Sequence, residues 1–353
     1  HQGKLRWLSE EAGYWEFDGG WIGDDSKYED EFPLEEGSRW LVGTKHNGRF
    51  GDHWHTYINY TRVSDTEYLR DLNNSNLSAQ RETALQQLAR LAWINDQWQV
   101  TLDFEQFQSI AEDIAEDYRK LPQMTARWTG DREWMGLTPI FLTQLSYFDS
   151  DVQRVTGQRL YNEIGLTKPM NWTAGFFRPT VKYRAVNYEL DRPFTELDTS
   201  PSAGSLMTSL DAGLIFERQT RLFGQSMTQT LEPRVYYLYS QYEEQRYQPD
   251  FDSAELTFSY GQLFRDTRFS GNDRLDDANQ LSVGVTSRYF DNETGEEKLS
   301  ASLGQIYYFR DQEVRLNPGD PVLAEATSPL AAEFTWSPSQ KWKLRASALY
   351  DTN

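Results

Sequence analysis

The character of the side chains alternates with a period of two along most of this chain, and this alternation limits its fold more than any other feature. In residues 98–105 (WQVTLDFE) every second residue is Trp, Val, Leu or Phe, and the residues between them are Gln, Thr, Asp and Glu. Successive side chains of a β-strand point to opposite faces of a sheet. The pattern therefore predicts strands that are apolar on one face and polar on the other. Similar runs cover residues 53–61, 181–185, 281–288 and 341–350.

The alternating runs are about 9 to 12 residues long, a length that suits a strand crossing a bilayer at a tilt. Strands of soluble proteins usually have about five or six residues. Short turns at residues 95–97 and 337–340 are interspersed with long polar loops, which is the arrangement of outer-membrane barrels. Long connections are expected at residues 64–82, 190–205, 242–253, 263–278 and 311–328.

These observations predict an all-β fold that forms part of an antiparallel transmembrane β-barrel, with roughly sixteen strands. Residues 1–353 are assigned to a single outer-membrane barrel domain. Within it, residues 1–38 are expected to be an irregular lead-in of strand and loop. Residues 110–120 (IAEDIAEDYRK) fit either a short helix or a loop.

Composition supports a barrel wall and excludes several other classes of protein. Hydrophobic residues make up 38% of the chain, and no run approaches the ~20 apolar residues that a transmembrane helix needs. Aromatic residues reach 14%, in line with aromatic girdles at two membrane interfaces. A formal charge of -19 repels phosphate backbones, so nucleic acid is not an expected partner. The chain has no cysteine, which excludes disulfides and Cys-ligated metals within it.

Signatures of enzymes are sparse. Neither a Gly-x-x-x-x-Gly-Lys phosphate loop nor a His-Glu-x-x-His zinc motif occurs in the sequence. His53 and His55 are predicted to share a strand face, where a two-histidine metal site is conceivable, but a polar pair facing the barrel interior is favoured. Carboxylates are so abundant that a pair resembling that of a glycosidase can be chosen anywhere. We therefore predict no catalytic residue, no metal site and no cofactor.

Several strings at predicted strand–loop junctions are more specific. They are YTRVSD at residues 60–65, TQTLEPR at 228–234, LFRDTRFSGNDR at 263–274, NQ at 279–280, GVTSR at 284–288 and GQIYYF at 304–309. In their order and spacing these strings resemble the barrel domain of the LptD family, the lipopolysaccharide-assembly proteins of Gram-negative outer membranes. The resemblance is densest over residues 216–309 and extends from residue 39 to the end of the sequence.

This resemblance implies a function, a location and partners. Members of the family combine a periplasmic jelly-roll with a very large barrel, which a lipoprotein, LptE, plugs. Lipopolysaccharide arrives along a periplasmic bridge that includes LptA. It leaves sideways, between the first and last strands, into the outer leaflet. By resemblance, the chain is expected to be an integral outer-membrane part of this translocon and not an enzyme. Its expected partners are LptE, LptA, lipopolysaccharide and outer-membrane lipid.

The sequence departs from the family pattern in three respects. The jelly-roll is not evident, too few strands are predicted for the whole barrel, and the family's cysteines are missing. The expectation is therefore an internal fragment of the barrel domain that lacks both strands of the exit. Contact with LptA is expected to need the N-terminal jelly-roll domain, which residues 1–353 are not expected to contain.

The candidate functional residues lie in or beside the junction strings. Five charged residues and a glycine bend share one long predicted loop. This loop either contacts the plug or lipopolysaccharide or, as we favour, is held in shape by pairing of its own charges. Glu232 and Arg234 flank Pro233 and are interpreted as an ion pair facing the lumen or, more simply, as a structural turn. The same alternatives apply to Arg62 and Asp65. The full set is Arg62, Asp65, Glu232, Arg234, Arg265, Asp266, Arg268, Gly271, Asp273, Arg274, Gln280 and Arg288.

Two other functions stay open at this point. A porin-like channel would share the barrel but pass small solutes, and the junction strings argue against it. A soluble, β-rich glycan-binding protein or glycosidase would bury its apolar strand faces between sheets. The direction in which the apolar faces point therefore separates the membrane interpretation from the soluble one.

Overall fold

A computed structural model describes residues 1–32, 37–72, 84–110, 118–128, 130, 135–152, 155–191, 198–222 and 224–351. In this part of the chain there are eighteen strands with antiparallel pairing, accompanied by α1 (Ser26–Glu31), α2 (Tyr68–Asp71) and a 3₁₀ turn (Tyr260–Phe264). The predicted all-β, antiparallel fold is confirmed, with more strands than expected. The strands are β1 (Gln2–Ser9), β2 (Gly13–Ile22), β3 (Arg39–Phe50), β4 (Trp54–Val63), β5 (Ala84–Ile94), β6 (Trp98–Ser109), β7 (Arg119–Trp128), β8 (Thr138–Asp149), β9 (Thr156–Thr167), β10 (Met170–Trp172), β11 (Gly175–Asp191), β12 (Ser202–Leu214), β13 (Phe216–Leu222), β14 (Gln225–Ser240), β15 (Ala278–Asp291), β16 (Glu297–Tyr308), β17 (Leu330–Ser339) and β18 (Trp342–Tyr350).

One compact unit comprises residues 1–130, 142–160 and 188–200. In it, β1 to β7 form a meander in which each strand pairs antiparallel with the next. β7 pairs in turn with residues of β8. The lead-in of strand and loop expected at residues 1–38 contains a regular hairpin of β1 and β2, followed by α1. Gly13 closes the turn of this hairpin at a φ of +69°, a conformation that glycine adopts without steric strain.

A side chain closes the short turn that was predicted between β5 and β6. Asn95 Oδ1 accepts hydrogen bonds from the amides of Gln97 and Trp98, at 2.9 and 2.7 Å, which is a usual role of asparagine in turns. The other ambiguous connections of this unit are only partly described. The helix or loop expected at residues 110–120 and the loop expected at 64–82 fall mostly at residues 111–117 and 73–83, outside the described residues.

A second compact unit comprises residues 131–141, 161–187 and 201–353. β10 pairs with β11, β11 with β12, and both β12 and β13 with β14. From β14 to β18 each strand pairs with the next one. Two long connections belong to this unit: the β14–β15 loop, residues 241–277, and the β16–β17 loop, residues 309–329.

Three expected connections need correction. Those predicted at residues 242–253 and 263–278 are parts of a single loop, since no strand separates them. The 3₁₀ turn begins in the segment between them. Its side chains Tyr260, Leu263 and Phe264 lie against the glycines of the sheet. They are spaced by three and four residues, as in a helix, and not by two, as in a strand. The connection predicted at 190–205 is shorter than expected, because β12 already begins at Ser202.

The strands of the second unit expose their apolar faces and cover their polar ones. Val283 and Leu303 are 40% and 43% exposed, whereas Ser282 and Gln280 are 0% and 5% exposed. The β14–β15 and β16–β17 loops supply the cover over the polar face. A soluble sandwich would show the reverse, because its apolar faces form the core. The arrangement is the one expected of a strand whose apolar face meets lipid.

The first unit has the same polarity. Phe17, Val42 and Phe104 are exposed, whereas Glu16 and Asp103 on the opposite face are buried. Among the described residues, no helix combines the length and the apolarity needed to cross a bilayer.

Candidate functional site

The 3₁₀ turn seats the β14–β15 loop on the polar face of the sheet. Beneath it, Gly284 of β15 lies directly opposite Gly304 of β16. A Cβ at Gly284 would lie 2.8 Å from the Phe264 ring, and a Cβ at Gly304 would lie 2.6 Å from Cδ1 of Leu263. Both distances are far inside the ~3.5–4.0 Å at which carbon atoms attract. The glycine pair therefore provides the space that the turn occupies, and Leu263 is fully buried there.

Two cations of β11 hold the same loop. Lys182 Nζ lies 2.8 Å from Asp266 Oδ2 and 3.1 Å from Glu163 Oε1. Arg184 donates to Ser240 Oγ at 2.8 Å and to the backbone carbonyl of Asp266 at 3.4 Å. Burial favours the neutral form of the Asp266 carboxyl, but the attraction of Lys182 outweighs it, so the pKa of Asp266 is lowered. The loop is thus fixed through charges on the polar face of the sheet.

Residues 273–277 (DRLDD), called the staple below, tie the β14–β15 loop to itself and to the β16–β17 loop. Asp273 is fully buried, and its Oδ2 accepts hydrogen bonds from the amides of Phe251 and Asp252, at 2.8 and 2.9 Å. Just before the staple, Gly271 adopts a φ of +66°, so it forms the bend that the sequence predicted. A Cβ at this position would lie 2.5 Å from the carbonyl oxygen of Asp252.

Arg274 of the staple binds backbone carbonyls on both loops. It donates to Pro249 at 2.8 Å, to Arg315 at 3.0 Å and to Leu316 at 2.7 Å. No carboxylate of the described residues lies within ion-pair distance of its guanidinium. A guanidinium has five donors in a rigid plane, so it can join several chain segments at once. The favoured prediction that the loop charges pair with one another is therefore wrong for this arginine.

The last two residues of the staple bind different loops. Asp276 pairs with Arg268, with Nη2 at 2.8 Å from Oδ1, so Arg268 finds its partner within its own loop, as favoured. Asp277 is fully buried; its Oδ1 accepts from the amide of Val314 at 2.9 Å, and its Oδ2 lies 3.2 Å from Arg310. Neither aspartate was singled out from the sequence.

Glu232 and Arg234 neither pair with each other nor form a turn, because both lie in the middle of β14. Arg234 donates two hydrogen bonds to Asp211, at 2.8 and 2.9 Å, and its guanidinium carbon lies 4.1 Å from the centre of the Phe264 ring. Glu232 lies 3.6 Å from Arg288 Nε. The physical reason is that side chains on adjacent strands approach to about 5 Å, closer than residues i and i+2 on one strand.

Pro233 itself sits where β14 changes its partner on one side. β14 pairs with β13 as far as Leu231 and with β12 from Arg234 onward. Proline has no amide hydrogen to give to a ladder, so the interval between two partner strands suits it. On its other side Pro233 still lies opposite Val285 of β15.

The remaining candidates of this unit are scattered. Gln280 is buried and accepts a hydrogen bond from Gln312 Nε2 at 3.2 Å. Arg288 lies 3.9 Å from Glu297 on the next strand. Arg265 is exposed and forms neither a hydrogen bond nor an ion pair through its side chain with any described residue.

In the first unit, Asp65 belongs to a cluster around an arginine that the sequence did not single out. Arg39 is 1% exposed, and its guanidinium lies 3.1 Å from Asp25, 2.8 Å from Asp65 and 3.1 Å from Asp71. The cluster anchors the segments that carry α1 and α2. Arg62 is exposed near the end of β4 and is not part of it.

Only one of the two histidines that were considered as metal ligands lies in a strand. His53 precedes β4 and lies with Nδ1 3.1 Å from the carbonyl oxygen of Ile94, whereas His55 lies within the strand. In the described ranges, no group of three or more potential ligands is placed to hold a metal ion.

A cavity of about 800 Å³ lies between the two loops and the sheet. Its size is typical of sites for small ligands. Strand residues form one side of it, and both loops form the others. The residues that line it include Leu238, Glu255, Leu256, Phe258, Gln262, Arg265, Arg268, Asp276, Gln280, Ile306, Tyr308, Val322, Leu323 and Glu325.

Sequence reasoning found part of this site and missed the rest. It found Asp266, Arg268, Gly271, Asp273 and Arg274 through their charge density and the glycine. It missed the side chains that pair with them, the arginine that binds Asp65, and the two glycines beneath the 3₁₀ turn. A signal for some of these was present, since charged residues at alternate positions of β11 must face whatever covers the polar side of the sheet. The missed residues are Arg39, Lys182, Arg184, Asp276, Asp277, Gly284 and Gly304.

Comparison with known proteins gives a consistent answer. A family model described as LptD, LPS transport system D, matches residues 37–353. The LPS-assembly protein LptD of Hahella chejuensis is 36% identical, over 98% of this chain and 44% of its own length. Proteins with the same name from Saccharophagus degradans and Pseudomonas syringae pv. syringae are 35% and 31% identical, over 91% and 95% of this chain and 39% and 40% of their own. The chain thus spans less than half the length of these relatives.

Proposed function

This chain belongs to the LptD family, and from that premise we propose that it forms part of the outer-membrane barrel wall through which lipopolysaccharide is delivered to the outer leaflet. In this role it performs no bond chemistry and needs no cofactor. Its work is to separate lipid from a polar interior and to hold that interior in shape.

The polarity of the strand faces is the observation that carries the proposal. The exposed face presents Val283 and Leu303, and the covered face presents Ser282 and Gln280. An exposed apolar face of this extent is unfavourable in water, since each apolar side chain gains about 1.5–3 kcal/mol from leaving it. Lipid contact removes that cost. The polar face then lines the transport compartment.

The loops on the polar face define what the compartment can hold. They are fixed to the wall by Lys182, Arg184 and the staple, so they form a rigid lining on this part of the sheet. We assign the plug lipoprotein LptE and lipopolysaccharide itself as the partners that meet this lining. LptA would act on the same pathway from the periplasmic side. Lipopolysaccharide as a partner is supported by the name of the relatives, LPS-assembly protein, and LptE and LptA rest on the family resemblance alone.

Lipid exposure can be tested with spin labels in the full-length parent protein reconstituted in bilayers. Labels at Val181 and Leu303 on the apolar face are expected to collide with lipid-soluble oxygen, and labels at Thr180 and Ser302 on the polar face are not. The two labels of each pair are neighbours on one strand, so their depth in the bilayer is matched. Shielding of the apolar labels from both oxygen and a water-soluble relaxant would place that face in a protein core and reject the proposal.

Delivery of lipopolysaccharide needs a separate test in cells. After depletion of the full-length parent protein, newly made lipopolysaccharide should stop appearing at the surface of intact cells, as measured by surface labelling. Re-expression of the parent should restore it. Continued surface delivery during depletion, together with a changed uptake of small solutes, would favour a porin-like channel.

A further inference from the structure

The cavity between the two loops has a built floor and a polar rim. Leu238 of β14, Gln280 of β15 and Ile306 and Tyr308 of β16 line it from the sheet. Both loops wall it, and the staple holds these loops together. Its volume of about 800 Å³ therefore does not depend on a loose segment of chain.

Four polar side chains of the rim have no partner within the described part of the protein. Glu255, Gln262, Arg265 and Glu325 line the cavity. Glu255, Arg265 and Glu325 are exposed to water and Gln262 is half-buried, and none of the four side chains forms a hydrogen bond or an ion pair with another described residue. By contrast, Arg268 in the same wall is satisfied by Asp276 at 2.8 Å. The unpartnered groups are thus available to a ligand, and polar groups of this kind fix the orientation of ligands in such sites.

The mixture of groups selects the chemistry of the ligand. A purely apolar chain would desolvate two carboxylates without giving them hydrogen bonds, which is costly. A ligand with several anionic groups would face the same two carboxylates, because the single free guanidinium can pair with only one of them, and a purely cationic ligand would leave that guanidinium unpaired. A ligand rich in hydroxyl groups satisfies all four side chains. Its C–H faces can pack on Phe258, Tyr308 and Leu256 in the same cavity.

We infer that this cavity binds a short oligosaccharide, through hydrogen bonds from sugar hydroxyls to Glu255, Glu325 and Gln262. Arg265 at the rim receives an acidic substituent such as a phosphate when the sugar carries one. The identification of the sugar as part of lipopolysaccharide rests on the proposed function. The existence of the saccharide site rests on the cavity alone.

The test uses the full-length parent protein, purified in detergent together with its plug protein, and isothermal titration calorimetry. The probes are the phosphorylated core oligosaccharide released from lipopolysaccharide by mild acid, the same oligosaccharide after removal of phosphate, and maltotriose. The variants are the double substitution Glu255→Ala with Glu325→Ala, and Arg265→Ala. Glu293→Ala, in the exposed turn between β15 and β16, is the matched control.

The core oligosaccharide should bind to the parent protein and to the control with equal affinity. Loss of two hydrogen-bonding carboxylates should weaken it by about tenfold or more. Arg265→Ala should weaken only the phosphorylated form. Binding of maltotriose with equal affinity would keep a saccharide site but remove the assignment to lipopolysaccharide.

Absence of binding to the parent protein, or equal binding to the double variant, would overturn the inference. A cavity that takes only acyl-bearing lipid, or only a segment of the plug protein, would give the first of these results. The proposed function is judged independently by surface delivery in cells. A failed titration with normal delivery rejects the cavity alone, whereas unchanged delivery after depletion of the parent rejects the transport role alone.

Discussion

Asp276 and Asp277 are neighbours in the chain, yet each anchors a different loop. Asp276 binds Arg268 of the β14–β15 loop, and Asp277 binds the amide of Val314 in the β16–β17 loop. Two neighbouring carboxylates at the end of the β14–β15 loop thus bind groups in both loops.

Replacement of Asp277 by alanine should release the β16–β17 loop. The change leaves the amides of Glu313 and Val314 and the guanidinium of Arg310 without their buried acceptor, at a cost of about 3 kcal/mol or more. Hydrogen exchange of the full-length parent protein should show lost protection at Val314. Asp311→Asn, a change at an exposed residue of the same loop, should leave that protection intact. Equal protection in Asp277→Ala would show that the loop is held by other contacts.

A side chain at Gly304 should unseat the 3₁₀ turn. Valine there would overlap Leu263, whose Cδ1 lies 2.6 Å from the position of the new Cβ, and overpacking of this kind costs about 1–3 kcal/mol. Proteolysis of the β14–β15 loop should become faster, while the strands stay assembled. The control is Gly319→Val, because no atom lies within 4 Å of a Cβ at that position. Unchanged proteolysis would mean that the glycine pair is not the seat of the turn.

Arg39→Lys should loosen the segments that carry α1 and α2. A lysine has one point charge and cannot bind Asp65 at two points while reaching Asp25 and Asp71. We expect a loss of roughly 2–3 kcal/mol, measured by urea unfolding of the parent protein in lipid vesicles. Arg62→Lys, at an exposed residue near the end of β4, should have no effect. A similar stability of both variants would remove the structural role given to the cluster.

The ion pair of Asp266 with Lys182 should stabilise the protein at neutral pH, and this stabilisation should be lost only in acid. Burial raises the pKa of Asp266, but the positive charge of Lys182 lowers it by more, so the pKa in the folded protein lies below the ordinary 3.8. The stabilisation is therefore complete above pH 3.8 and disappears as the pH falls through the folded pKa. Melting temperatures of the parent and of Asp266→Asn should differ at neutral pH and converge in acid. A difference that stays constant down to the lowest pH would contradict the ion pair.

Asp250 should behave with the opposite sign. Burial raises its pKa above 3.8, and the nearby charge of Asp273 raises it further. Its stabilising contribution is present below pH 3.8 and is lost as the pH rises through the folded pKa. The amide of Ser253 donates a hydrogen bond to Asp250 Oδ1 at 3.1 Å, and Asp250→Asn keeps an oxygen that can accept it. This variant should be as stable as the parent in acid and more stable at neutral pH. A loss of stability at neutral pH would show that the charge of Asp250 is needed.

The prediction of the fold from the sequence succeeded where the signal was local. Alternation in residues 98–105 and 281–288 is a property of adjacent residues, so it placed β6 and β15 and gave the polarity of their faces. It failed for residues 241–277, where two predicted loops are one. There the 3₁₀ turn exists because Gly284 and Gly304 on two other strands leave space for it.

The sequence by itself determined most of the strands, which face of each strand is apolar, and the resemblance to the family, because each depends on short-range pattern or on strings of residues in order. Only the tertiary structure decided which charges meet. Lys182 and Asp266 are 84 residues apart, and Arg39 and Asp65 are 26 apart. A carboxylate carries no local mark of its partner, since attraction between charges depends on distance in space and on burial. The partner of Asp266 was therefore settled by the packing of the β14–β15 loop onto the sheet.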